Sequence, residues 1–256
     1  MGSDTKFPKL DSYSMLLVNN NRSKAYLQNL ILFGYKPQQV IVLQKDEDLL
    51  PENKRYGQNG AGTSQGKREC FCPEAGVRFD EAETILQTLE THHIDYRIIP
   101  TLDINSDEVV RVVGESPTRY MVYSGPGGSL LQEPLLSAGK FFLHVHPGWL
   151  PDYCGSTTIY YSLLAEKSAA CSVIMFTSEI DRGPVFLRRR FKWNETKELD
   201  HVFDPSIRTA TLIDFFKKTY SQSPQEIITP ANEEESVFYI IHPVLKHLAI
   251  LKGGDR

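Results

Sequence analysis

The feature that most constrains this chain is an ordered alternation of short apolar runs with segments of helical periodicity. Ser14–Val18 (SMLLV) is apolar and is broken by the polar Asn19-Asn20-Asn21-Arg22-Ser23. Ala25–Phe33 then carries apolar residues at helical spacing, Gly34 stands where a C-terminal cap belongs, and Val40–Leu43 is apolar again. Strand, polar turn, helix, strand is the order of a βαβ unit. The order continues downstream. Helices are predicted over Asp80–Thr91, Ser106–Val113, Ser129–Ser137, Thr157–Leu164 and Val202–Tyr220. Strands are predicted over Tyr96–Ile99, Tyr120–Tyr123, Phe141–Val145, Cys171–Thr177 and Val185–Trp193. This alternation predicts an α/β protein: a mostly parallel sheet with helices on both faces, in three layers.

Lys45–Ala75 interrupts the pattern, being charged, Gly-rich and nearly free of apolar pairs. Its Tyr56–Gly62 run lacks the Gly-Lys-Ser/Thr ending of a phosphate loop, follows no strand and precedes no helix. The segment reads as a mobile insertion or lid.

Charge and composition remove several classes. With 28 basic and 32 acidic residues the formal net charge is −4, so the whole chain offers no field to a polyanion and no nucleic-acid partner is expected. The one basic run, Arg188-Arg189-Arg190 with Lys192, lies on a predicted strand whose alternation divides it between two faces, as in a solvated edge. No apolar run approaches the roughly 18 to 20 residues that span a bilayer, so no membrane is expected. Met1–Leu10 has no hydrophobic core of a secretion signal. The four cysteines are too few for a disulfide scaffold, and Cys70-Phe71-Cys72 is spaced too tightly for the usual zinc site. They read as thiols of a reducing, cytoplasmic compartment.

The chemistry gathers in two stretches. In Phe142–Thr157 a buried apolar strand ends in His144 and His146, followed by Pro147, Gly148, Pro151 and Gly155 before a helix begins. His144 and His146 are two apart, so on a strand both project from one face, at the carboxyl end where open α/β sheets bind ligands. Such a pair suits a metal, with Asp181 as the best third ligand, in a metal-dependent hydrolase. It equally suits proton transfer by one ring and hydrogen bonding to a developing oxyanion by the other. The second stretch, Ile174–Val185, reads strand, polar loop, strand.

Together, His-Pro-x-x-Leu-Pro-x-Tyr-x-Gly and, 35 positions after His146, Asp181 within Glu-Ile-Asp-x-Gly-Pro-Val resemble the folate-dependent formyltransferases. That family includes glycinamide ribonucleotide transformylase, methionyl-tRNA formyltransferase, formyltetrahydrofolate hydrolase and amino-sugar N-formyltransferases. The resemblance covers Arg119–Lys192 and extends in element order back to Met15.

The resemblance implies a Rossmann-like fold, with a catalytic domain over 1–192 and a C-terminal helical extension over 193–256 packed on the same domain. It implies 10-formyltetrahydrofolate as formyl donor and a small-molecule amine as acceptor. His146 and Asp181 take the positions of the family's active-site histidine and aspartate, and no metal is implied. His144 stands where the family has an asparagine whose amide donates to the formyl oxygen, so it joins them as a catalytic residue. Gly125, Gly127, Gly128 and Leu130 fall on one folate-contacting loop, and Ser178, Glu179 and Ile180 on the loop that wraps the pterin. Asn20 and Arg22 fall on the loop that grips substrate in the purine enzyme, although its usual glycines are absent here. Tyr153 and Gly155 are assigned to the acceptor. Too little chain follows Lys192 for the full C-terminal barrel of the enzymes acting on initiator tRNA, and the hydrolases' N-terminal domain is also missing. An amino sugar, nucleotide-linked in the leading case, or an amino acid is therefore the expected acceptor. A relative that binds ligand without turnover is the remaining alternative. Tyr239–Leu251 is apolar enough to pack on the domain or on a second subunit of a homo-oligomer.

Overall fold

A computed structural model describes residues 10, 12–45, 68–193, 198–220 and 237–253. The first apolar run forms β1 (Tyr13–Val18), buried throughout. The Asn20 side chain accepts the Ser23 N–H at 2.9 Å and caps α1 (Asn21–Leu32), satisfying a donor that the first helical turn leaves orphaned. After the helix, Gly34 adopts φ 81°, a left-handed conformation that glycine reaches without a Cβ penalty. The chain then enters β2 (Gln39–Leu43), parallel to β1, completing the expected βαβ unit.

Residues 46–67 of the expected insertion lie outside the described residues. Its end is not irregular: β3 (Glu69–Cys72) and β4 (Val77–Asp80) form an antiparallel hairpin. The helix expected from Asp80 begins only at α2 (Ile85–Thr91), where Thr84 and Gln87 form a capping box. The Gln28 side chain explains the shift. It hydrogen-bonds both the N–H and the carbonyl of Asp80, at 2.8 and 3.0 Å, holding that backbone extended.

β5 (Asp95–Ile99), α3 (Asp107–Glu115) and β6 (Tyr120–Ser124) follow the expected order. The helix expected over Ser129–Ser137 shrinks to α4 (Glu133–Leu136) because the Asn105 amide binds the Leu130 carbonyl and the Gln132 N–H instead. The remaining elements are β7 (Phe141–His146), β8 (Cys154–Gly155), α5 (Thr158–Glu166), β9 (Ser168–Met175), β10 (Val185–Lys192), a π-turn (Leu199–Phe203), α6 (Asp204–Tyr220), β11 (Val237–Phe238) and α7 (Pro243–Gly253).

The main sheet has seven strands in the order β10-β9-β7-β6-β1-β2-β5. β5, β2, β1, β6 and β7 run parallel, β9 alone is reversed against β7, and β10 at the edge is antiparallel to β9. Strand alternation divides the core into two. Met15, Leu17, Val122, Leu143 and Val145 face α1, α5 and α6, whereas Leu16, Ile41, Met121, Tyr123 and Phe142 face α3 and α4. This is the expected three-layer, Rossmann-like α/β architecture, and each fully buried leucine such as Leu27 or Leu30 contributes about 2 kcal/mol to it.

The basic run on edge strand β10 divides as its alternation requires. Arg188 and Arg190 lie over the Trp149 ring at 5.3 and 4.4 Å, and Arg189 pairs with Asp214 at 2.6 Å. β11 pairs with β8, and α7 packs on α5. At Gly155, which has φ 100°, an added Cβ would lie 2.2 Å from the Phe238 carbonyl oxygen, so glycine is what admits that strand. None of the four cysteines forms a disulfide. No described helix is long and apolar enough to cross a membrane.

Candidate active site

The carboxyl ends of β1, β6 and β7 converge with the chain entering β10. On β7 the alternation Phe142, His144, His146 sends both histidines to one face, as their spacing requires. Asp181, in the loop before β10, has φ 56°, a left-handed conformation that aspartate tolerates better than most residues. The loop thereby brings one carboxylate oxygen to 3.3 Å from His146 Nδ1, both side chains being buried. The other carboxylate oxygen accepts the Gly155 N–H at 2.8 Å. Burial opposes ionisation of Asp181, but the His146 charge and hydrogen bond, with the Gly155 N–H, outweigh it and hold the carboxyl below its ordinary value.

His146 is fixed on its far side as well. Nε2 lies 2.7 Å from the Tyr153 carbonyl oxygen and 3.4 Å from Thr158 Oγ1, whose own proton goes to the Pro147 carbonyl. Nε2 therefore carries a proton and donates. Protonation of Nδ1 converts its contact with Asp181 into a charge-assisted hydrogen bond.

His144 has a different environment. Its ring stacks on Phe176, with centroids 4.7 Å apart and planes at 17°, and Tyr123 closes the cluster at 6.1 Å. Burial, then the nearby charges of Arg208 and Arg22, push its pKa well below the ordinary histidine value. The ring is neutral at pH 7. Nδ1 is wholly buried with no partner. A proton there would be an orphaned donor, costlier than an orphaned lone pair, so the favoured tautomer carries its proton on Nε2. His144 is thus a neutral N–H donor, as an asparagine amide is.

The structure distributes the other expected residues unequally. Tyr153 and Gly155 serve the His146–Asp181 pair through their backbones, and the Tyr153 hydroxyl donates to Glu166. Asn20 caps α1, and Arg22 donates to Ser124 Oγ at 2.8 Å and to the Gly125 carbonyl. Asn20, Arg22 and Gly127 line a cavity of about 380 Å³ with Asn21, Asp200, His201, Asp204 and Pro205. Gly128 has φ 77° in the turn after β6. Leu130 and Ile180, 56 % and 53 % exposed, offer apolar surface on the two loops, where Ser178 and Glu179 are also exposed.

Sequence reasoning missed three contributors. Arg208 is buried on α6, donates to the Val145 carbonyl of β7 at 3.0 Å and pairs with Asp204 at 2.9 Å. Only packing carries its guanidinium from α6 to β7. Tyr123 and Phe176, read only as strand residues, enclose His144.

No protein-family model and no curated protein sequence matches the chain. Solved structures do. A sugar N-formyltransferase from a Shewanella species is 14 % identical with TM-score 0.54, over 94 % of this chain and 87 % of that one. Glycinamide ribonucleotide transformylase 1 from Symbiobacterium toebii is 12 % identical with TM-score 0.54, over 86 % and 93 %. WlaRD, a sugar 3N-formyl transferase solved in the presence of dTDP and 5-N-formyl-THF, is 13 % identical with TM-score 0.54, over 94 % and 78 %. The fold is therefore that of these formyltransferases, in agreement with the fold implied by the motifs around His146 and Asp181.

Proposed function

We propose that this chain is an enzyme, an N-formyltransferase that moves a formyl group from 10-formyltetrahydrofolate to the amine of a small molecule. A nucleotide-linked amino sugar is the leading acceptor. The observation that carries this reading is the buried His146–Asp181 pair beside a neutral His144 at the carboxyl edge of a formyltransferase-type sheet. The folate and nucleotide present with WlaRD support the choice of donor and acceptor class.

The residues present fit such a donor: apolar Leu130 and Ile180 are exposed on two loops near a histidine edge that offers a hydrogen bond. When bound, the folate supplies the formyl carbon on N10. The bond formed joins the acceptor nitrogen to that carbon, the bond broken joins the carbon to N10, and the acceptor's proton ends on N10. His144 offers Nε2–H to the carbonyl oxygen as its negative charge grows. Such preorganised donors are worth on the order of 100-fold in rate. His146 holds the proton in transit at Nδ1, where the Asp181 carboxylate stabilises the imidazolium. Tyr153 and Thr158 keep the ring from turning.

Metal-assisted hydrolysis by His144, His146 and Asp181 fits the donor geometry poorly. His146 spends its Nε2–H on the Tyr153 carbonyl and turns its one lone pair, on Nδ1, to the Asp181 carboxylate 3.3 Å away rather than to an open site. Among the described residues no three His, Cys, Asp or Glu side chains gather as a metal site.

The test is incubation of the purified protein with 10-formyltetrahydrofolate and a panel of amines, with products read by mass. Thermal denaturation with reduced folates runs in parallel, because a ligand of the native state raises the midpoint with concentration. Product carrying one added formyl group supports the reading. Folate-dependent stabilisation without product from any amine leaves a binding protein, and no response to any reduced folate overturns the assignment.

A further inference from the structure

Two buried polar atoms beside the site have no partner: Tyr123 Oη and His144 Nδ1. They belong to neighbouring strands and to one face of the sheet. β6 and β7 pair Tyr120 with Phe141, Met121 with Phe142 and Val122 with Leu143, so Tyr123 and His144 come next in register. Their ring centroids are 6.1 Å apart, and both rings pack on Phe176, His144 in parallel and Tyr123 edge-on at 5.4 Å. Tyr123 is only 3 % exposed. Its hydroxyl lies over Gly125, where an added Cβ would come within 2.2 Å of Oη. The lack of a side chain at Gly125 is what lets the hydroxyl reach the carboxyl edge of the sheet.

A buried hydroxyl and a buried ring nitrogen left unpaired in the same place are a costly combination, and native interiors satisfy such groups with protein or with ordered water. We propose that Tyr123 is a positioning residue that fixes the tautomer of His144 through one water held between Oη and Nδ1. The Tyr123 hydroxyl donates to the water, and the water donates to the bare Nδ1. The proton of the neutral ring is then confined to Nε2, where it serves as the donor at the reacting carbonyl. Burial pushes the Tyr123 hydroxyl up to about 12, so it stays protonated and able to donate wherever the protein is folded and active. An asparagine needs no such partner, because its amide has one donor end. An imidazole does, because its proton can sit on either nitrogen.

The catalytic part of this proposal rests on the formyl-transfer reading, whereas the tautomer itself is measurable without substrate. Protein labelled with ¹⁵N-histidine has seven histidines. The His144 signals are assigned by their loss in His144→Asn. The expected wild-type spectrum shows a proton on Nε2 and a bare Nδ1. Tyr123→Phe, which removes only the hydroxyl and leaves the water free to accept from Nδ1–H, is expected to give a mixture of both tautomers with unchanged circular dichroism. Its kcat is expected to fall about tenfold at constant KM, and that fall is expected to vanish in the His144→Asn background. A wild-type ring protonated on Nδ1 overturns the proposal, as does a Tyr123→Phe spectrum identical to wild type. A tautomer shift in a protein that transfers no formyl group upholds the role of Tyr123 and removes the assigned reaction instead.

Discussion

His146 Nδ1 lies 3.3 Å from Asp181 Oδ1, with the two side chains 3 % and 8 % exposed. These residues are 35 positions apart in sequence, and the contact exists because Asp181 adopts φ 56° in the loop before β10. Asp181→Asn keeps the shape and tolerates that backbone but removes the charge that stabilises the imidazolium. Its transfer rate is expected to fall on the order of 100-fold, with the melting temperature changed by only a few degrees. A steady-state assay beside a thermal melt checks both, and near-full turnover removes the pair from the mechanism.

Acid sensitivity follows from His144. Its folded pKa lies well below 6.5, so the unfolded chain binds a proton that the folded protein refuses. The stability linked to this ring is fully present above 6.5 and is lost as pH falls below it, at up to about 1.4 kcal/mol per pH unit. Urea unfolding between pH 7 and 5 is expected to show this slope in the wild type and a shallower one in His144→Asn.

Arg208 links α6 to the site. It donates to the Val145 carbonyl between the two histidines and pairs with Asp204. Arg208→Met leaves the largely shielded Asp204 carboxylate, 16 % exposed, and the Val145 carbonyl without their donor, and such losses cost about 1–3 kcal/mol. It also removes a positive charge that lowers the His144 pKa. Denaturant melts are expected to show the destabilisation, and NMR titration is expected to show the His144 pKa moving up toward 6.5.

Gly155→Ala places a methyl group 2.2 Å from the Phe238 carbonyl oxygen and forces an alanine toward φ 100°. The pairing of β11 with β8 is expected to break, and the protection of the backbone N–H of Ser156, which donates to the Phe238 carbonyl, is lost with it. Hydrogen exchange read by mass spectrometry, with faster exchange over 154–156 and 237–238, checks this. Gly155 also donates to Asp181, so activity is expected to fall in the same variant.

Several of these relationships were legible before any coordinates. The apolar runs at Ser14–Val18, Val40–Leu43 and Phe141–Val145 mark strands because a sheet covered by helices on both faces demands continuous hydrophobicity. The spacing of His144 and His146 fixes their common face, since side chains alternate along any strand. Gly34 closes α1 by local chemistry alone, whereas Asn20, expected on a substrate loop, is seen to cap the helix only in the structure.

What local pattern could not supply came from contacts across the chain. Gln28 holds Asp80 extended and Asn105 holds residues 130–132 out of a helix, each against the local periodicity. Arg208 reads as the end of an i, i+4 helix pair, and only packing carries its guanidinium to β7.

The amino-acid order thus determined the strands, the helices and the shared face of the two histidines, because these follow from backbone periodicity over a few residues. Tertiary structure alone decided that Tyr153 and Gly155 turn their backbones to His146 and Asp181, and that His144 is neutral. Hydrogen bonds and desolvation depend on which distant groups exclude water from a site, and no short stretch of sequence encodes that.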